Sequence, residues 1–336
     1  MASGKAKWIN GLDSIRFVLA LIVLLSHVHD PFTDVLKDAR NPIAHLSGMV
    51  IEHLFSGAAA VSCFFIISGF VIHYPNTDTA QLDVIPFLIR RLVRIVIPML
   101  VIGLVADHYS LFYVLPLWSL YCELAYYIMY PLLFKIKWSW HTKLYLSYVV
   151  SICFVILLLA VNSGRFSGLN FNGRRGLSWQ ISIIFINLPA WILGVILAEK
   201  IDGIKRTVTY GRLWLMRGGA QLLAMISVAL RMHYHINYTY SLILFALFFY
   251  KWLEAEIIYH RDHPAGSWSE YLGKFSYSLY LCHLLCLAFI IKYIPLHTST
   301  YLLYLMLPIL ISYVAYLLVE RPAHKLARSL AGKISK

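Results

Sequence analysis

Arg16 and His27 sit eleven residues apart in the first long apolar run of the chain, with Asp13 near its start. Eleven residues make almost three helical turns, so both side chains project from one face, about 16 Å apart along the axis. A guanidinium pairs with phosphate and an imidazole moves protons near neutral pH. A later run reads Leu117-Trp118-Ser119-Leu120-Tyr121-Cys122-Glu123, with Glu123 near the middle of its apolar stretch and Ser119 one turn before it. A charged residue at mid-depth costs about 2.5–3.5 kcal/mol on insertion scales, which makes it a functional candidate by default. A histidine held by a carboxylate is a general base, able to take a proton from a hydroxyl. Whether Ser119 is a nucleophile or orients Glu123 stays open at this stage.

Arg90, Arg91 and Arg94 add a second group. Arg90 and Arg94 are i,i+4 neighbours, and Arg91 and Arg94 are i,i+3. Two readings stand: an ordinary cytoplasmic anchor with snorkelling arginines, or a clamp that grips phosphate bidentately. His283 falls about mid-span, one turn from Tyr280, and is read as a supporting residue. Together these groups suit transfer from a phosphorylated cytoplasmic donor to an acceptor met within or beyond the bilayer.

The elements that must position them are membrane spans. The chain has 336 residues, 60% hydrophobic and 13% charged, where a soluble domain carries about 25% charged residues. Continuous apolar runs near 20 residues indicate an all-α polytopic membrane protein, and the lack of strict alternation excludes a closed barrel. Ten spans are expected, at 12–29, 50–74, 92–107, 110–134, 143–161, 180–199, 213–231, 236–253, 275–294 and 300–319. With the N-terminus inside, 22 of the 29 Lys and Arg residues fall on the cytoplasmic side, a strong positive-inside bias. Both termini are therefore expected in the cytoplasm. The first span is expected to be retained, since it is long enough to cross and no small-x-small cleavage site follows. One integral-membrane domain over 1–336, with no fused soluble domain, is expected.

The net charge of +13 fits cytoplasmic loops and anionic lipid rather than nucleic acid. All five cysteines fall in apolar runs and read as packing residues; no Cys-His spacing suggests a metal. The outer segment 162–179, with Arg165, Arg174 and Arg175, reads as a connector or as a basic patch facing an anionic acceptor. In the second span, Gly57-Ala58-Ala59-Ala60 permits close packing, and Ser68-Gly69 is a candidate local break. Pro322 is expected to stop the last span.

These residues resemble the acyltransferase-3 family of bacterial integral-membrane O-acyltransferases. Leu12-Asp13 with Arg16 and His27 looks like its first-span signature. Phe64-Phe65-Ile66-Ile67-Ser68-Gly69-Phe70, Arg90-Arg91-Leu92-Val93-Arg94-Ile95, Trp118-Ser119 with Glu123, and Ser276-Tyr277-Ser278-Leu279-Tyr280-Leu281 with His283 match further motifs in family order. Glu320-Arg321-Pro322 also fits, while Pro98 falls one residue later than the family's usual proline.

The resemblance implies transfer of an acyl group, usually acetyl from acetyl-CoA, to a hydroxyl of a cell-surface sugar. By that resemblance His27 and Glu123 are the catalytic pair and are expected to lie close together. Arg16, Arg90, Arg91 and Arg94 hold the donor, and Asp13, Trp118, Tyr280 and His283 support. The expected partners are the bilayer and a carbohydrate acceptor, with no metal and no nucleic acid. A transporter of a glycan or anion is the alternative, favoured by two-fold sequence symmetry, which is not evident. A haem carrier would need paired histidines at equal depth, which His27 and His283 are not expected to share.

Overall fold

The computed structural model describes residues 9–161 and 177–334. The segment carrying Arg165, Arg174 and Arg175 lies outside them. Among the described residues every regular element is helical. In chain order these are α1 (Leu12–Leu25), α2 (Pro31–Lys37), α3 (Pro42–Glu52), α4 (Gly57–His73) and α5 (Val84–His108). Next come α6 (Leu117–Lys135), α7 (Trp140–Val161), α8 (Leu177–Lys200), α9 (Tyr210–His233) and α10 (Tyr238–Asp262). The last four are α11 (Ser267–Gly273), α12 (Ser276–Tyr293), α13 (Tyr301–Ala315) and α14 (Arg321–Ile334). A helix lies on each of the ten expected segments. Six stretches among the described residues are long and apolar enough to cross a membrane by length and composition. The bundle's exterior is apolar: Val18, Leu104, Leu215, Leu244 and Leu318 are all exposed. That is the surface a helix bundle presents to hydrocarbon rather than water.

Several boundaries differ from the expected ones, each for a local reason. α1 stops at Leu25, not at residue 29. Fourteen residues rise about 21 Å, short of a hydrocarbon core of ~30 Å. His27 therefore lies in the turn just past the helix end. α2 and α3 follow, each opened by a polar cap and a proline: Asp30 accepts from the Phe32 amide at 3.0 Å, and Asn41 from the Ile43 amide at 2.9 Å. A capping side chain with Pro at the first helical position is a strong start signal. The expected 50–74 span thus divides between the end of α3 and α4, which Ser56 caps. α5 begins at Val84, earlier than the expected span at 92, so all three arginines lie within one helix. Pro98 sits inside α5 without ending it. Pro322 does not end the last span either. A π-helical turn, Tyr316–Glu320, leads directly into α14. As the second residue of α14, Pro322 lacks an N–H where helix starts leave donors unpaired anyway.

Two close contacts fix the helices that carry the site. α4 is the most enclosed helix of the group and crosses α8 almost backbone to backbone. A Cβ on Gly69 would lie 1.9 Å from the Trp191 carbonyl oxygen, and one on Gly194 would lie 1.9 Å from that of Ile66. Ser68-Gly69 is therefore a contact point in a continuous helix, not a break. The start of α1 is clamped by α11. Glu270 Oε1 accepts from the Gly11 amide at 3.1 Å, the Ser14 amide at 3.0 Å and the Ser14 hydroxyl at 2.6 Å. Gly273 allows this approach, since a Cβ there would fall 2.0 Å from the Asp13 carbonyl oxygen. α14 packs on α5 through Ala323, Ala327 and Ala331, all buried. Cys63, Cys122, Cys282 and Cys286 are buried and free, whereas Cys153 is exposed and does not fill the interior.

Gly194→Ala is expected to destabilise the detergent-purified protein by about 1–3 kcal/mol, the usual cost of overpacking. Gly203→Ala, where a Cβ meets nothing within 4 Å, is expected to leave the thermal midpoint unchanged. Thermal unfolding of both variants beside the wild type checks the contrast.

Candidate active site

The site forms where α1, α4, α5, α6 and α12 meet around a cavity of about 810 Å³. Arg16 reaches it from α1, and Arg91 and Arg94 from one face of α5. Ser119, Glu123 and Tyr127 line it from α6, Ser68 from α4, and Tyr277 and Tyr280 from α12. At about 100° per residue Arg94 falls between the other two, about 60° from Arg91 and about 40° from Arg90. Arg91 and Arg94 are half-buried, and Arg90, at the outer edge of that arc, is exposed. Arg90 lines neither this cavity nor the vestibule beside it.

Glu123 accepts from the Tyr127 hydroxyl and from the Ser68 hydroxyl, the latter at 3.3 Å. Ser119 lies one turn away on the same helix. Its hydroxyl meets the Tyr280 hydroxyl at 2.5 Å rather than Glu123. Arg16 is paired with Asp13 at 3.4 Å. Arg91 donates to the Val71 carbonyl oxygen at 3.4 Å.

His27 and His283 lie past Tyr280, outside the cavity lining. Their rings are 5.1 Å apart, centre to centre, so they do share a depth. Rings that close leave no room for a haem plane between them. His27 Nδ1 lies 2.8 Å from the Val23 carbonyl oxygen. A carbonyl only accepts, so Nδ1 carries the proton and Nε2 keeps a lone pair. His283 repeats the arrangement, with Nδ1 2.7 Å from the Tyr280 carbonyl oxygen and a buried Nε2 that has no hydrogen-bond partner among the described residues. The carboxylate expected to hold His27 is thus replaced by a backbone carbonyl. Glu123 bonds to Ser68 and Tyr127, and His27 to Val23. The link between them runs through His283, Tyr280 and Ser119.

The sequence profile of the acyltransferase domain family matches residues 9–317, nearly the whole chain. The protein belongs to the acyltransferase-3 family. Searches of curated proteins and of solved structures returned no match.

The cavity thus carries the guanidinium groups of Arg16, Arg91 and Arg94, while His27 and His283 lie beyond Tyr280, outside its lining. Trp118, one of the expected supporting residues, packs its ring edge-on to Phe65 at 6.4 Å and does not line the cavity. Tyr127 and Ser68 received no role from sequence, although Tyr127 is i+4 from Glu123, the spacing at which side chains on one helix meet. Glu320, part of the Glu320-Arg321-Pro322 match, was likewise given no role at the site. It is fully buried, and it accepts from the Ser278 amide at 3.2 Å and hydroxyl at 2.6 Å. Its place at the end of an apolar run was the available signal. Among the described residues no cluster of three or more His, Cys, Asp or Glu side chains is arranged to hold a metal.

Arg91→Gln and Arg94→Gln are each expected to lower acyl transfer at least about tenfold, or ~1.4 kcal/mol of transition-state stabilisation. Arg90→Gln, on the exposed side of the same helix, is expected to stay within about twofold of wild type. Initial rates at matched expression check the difference.

Proposed function

We propose that the protein is an O-acetyltransferase of the bacterial cytoplasmic (inner) membrane, transferring acetyl from acetyl-CoA to a hydroxyl of a cell-surface polysaccharide or its lipid-linked precursor. It crosses the membrane ten times with both termini in the cytoplasm and forms one domain over 1–336. The observation that carries the reading is the cavity with Arg16, Arg91 and Arg94 at one end and the Tyr280–His283–His27 column beyond the other. The positive-inside count sets the arginine end toward the cytoplasm, where acetyl-CoA is made.

Arg16, Arg91 and Arg94 hold the donor's phosphates, for which a guanidinium fork is well shaped. The thioester arm enters the cavity, and the acceptor hydroxyl approaches from the opposite side. His27 Nε2 takes the hydroxyl proton as the oxygen attacks the thioester carbonyl. The C–S bond breaks, and the coenzyme A thiolate leaves and recovers a proton. A transient acyl group on His27 followed by transfer to the hydroxyl gives the same products. The Nδ1–Val23 bond leaves the same lone pair for either course.

His27→Ala is expected to remove the O-acetyl groups from surface glycans of cells that depend on this protein, with the variant present in the membrane at wild-type level. Mass analysis of the glycans reads the outcome, and unchanged acetylation would sink the proposal. Flux of glycan through purified protein in liposomes without acetyl-CoA would favour the transporter reading instead.

A further inference from the structure

Beside the cavity lies a second, larger space of about 1050 Å³. Arg16 and Arg94 line both, so they form the neck between them. Beyond the neck the walls carry two more cations, Lys274 at the end of α11 and Arg328 on α14. Both are exposed, and neither forms an ion pair among the described residues. Among the described residues Asp13 is the only carboxylate on the lining, and it is already paired with Arg16 at 3.4 Å.

α14 begins after residue 317, where the family match ends. It is nonetheless no loose tail. Ala323, Ala327 and Ala331, spaced four apart, seat it on α5, the helix that carries Arg91 and Arg94. Arg328 is thereby held in fixed relation to the neck. Positive charge thus comes in two tiers, one at the neck and cavity and one in the vestibule. A donor with a single anionic group would engage one tier. Coenzyme A carries two, a pyrophosphate and a 3′-phosphate separated by the ribose.

We propose that Lys274 and Arg328 form a second anion subsite that takes the 3′-phosphate of the donor's nucleotide, while the neck arginines hold its pyrophosphate. This rests on the reading of acetyl-CoA as donor. The subsite would explain a preference for coenzyme A over carriers that present the same pantetheine arm without that phosphate.

The test compares acetyl-CoA with acetyl-3′-dephospho-CoA on the purified full chain. Wild type is expected to show a KM at least about tenfold lower for acetyl-CoA. Arg328→Gln and Lys274→Gln are expected to raise KM for acetyl-CoA toward the dephospho value and to leave that for acetyl-3′-dephospho-CoA unchanged. Equal KM values for the two donors in wild type would overturn the subsite, as would variants that weaken both donors alike. Should a variant fail to fold, the wild-type comparison still decides. Failure to use either donor would instead overturn the acetyl-CoA reading beneath it.

Discussion

The clamp of Glu270 on the start of α1 is the contact from which the rest of the site follows. α1 carries Arg16 and leads into the turn that holds His27, so whatever fixes its first turn bears on both ends of the proposed transfer path. A helix start leaves backbone N–H groups without partners and favours negative charge. Here that charge comes from a residue about 256 positions away in the chain. One carboxylate oxygen gathers two amides and a hydroxyl, and hydrogen bonds to a charged group are each worth about 1.5–3 kcal/mol. Gly273 brings the two backbones close enough for this. The clamp therefore joins the first span to α11 and to α12, which begins three residues later and supplies Tyr280 and His283. Phe17 packs edge-on to Phe275 at 5.6 Å, which continues the seam toward the histidine pair.

A second constraint is the medium. Charged groups in an apolar bundle must be satisfied by neighbours or face a cavity. Glu123 meets this with two hydroxyls, and Glu320 with Ser278. Arg91 and Arg94 meet it by facing the cavity, with Arg91 also reaching a carbonyl. The α4–α8 crossing belongs to the same logic. Without a hydrophobic force between helices in lipid, close backbone contact through glycine is a main source of association. It holds α4 where Ser68 reaches Glu123.

Much of this was legible in the sequence. The apolar runs located α1, α4 to α10, α12 and α13, but not α14, whose polar sequence gives no apolar run. The helical period put Ser119 one turn from Glu123 and grouped Arg91 with Arg94. It did not exclude Arg90, since i,i+4 and i,i+3 spacing alone cannot say which face is turned inward. The short helices α2 and α3 carry no apolar run of spanning length, and their only sequence signals are the caps Asp30-Pro31 and Asn41-Pro42. Pro322 did not stop the last span: the π-helical turn Tyr316–Glu320 carries the chain straight into α14, as α5 runs on through Pro98. The pairing of His27 with His283 was beyond reach. Sequence order does not reveal that α1 ends early, nor that its last turn lies level with the middle of α12.

The separation of Glu123 from His27 changes how the proposed chemistry divides. A carboxylate that accepts from Tyr127 and Ser68 has lone pairs committed within its own wall. It shares that cavity with Arg16, Arg91 and Arg94. Three guanidiniums in an apolar bundle carry a large desolvation cost, which Asp13 at Arg16 and the nearby carboxylates of Glu123 and Glu320 offset in part. We read Glu123 as the group that tempers this charge, leaving proton transfer to the histidine end. Its removal would then act on donor binding and on the poise of the arginines. Loss of His27 would act on the attack of the hydroxyl. His283 lies beside His27, their rings 5.1 Å apart, and its buried Nε2 has no hydrogen-bond partner among the described residues. The histidine end is thus built from two rings whose Nδ1 atoms are both committed to backbone carbonyls, unlike the carboxylate end.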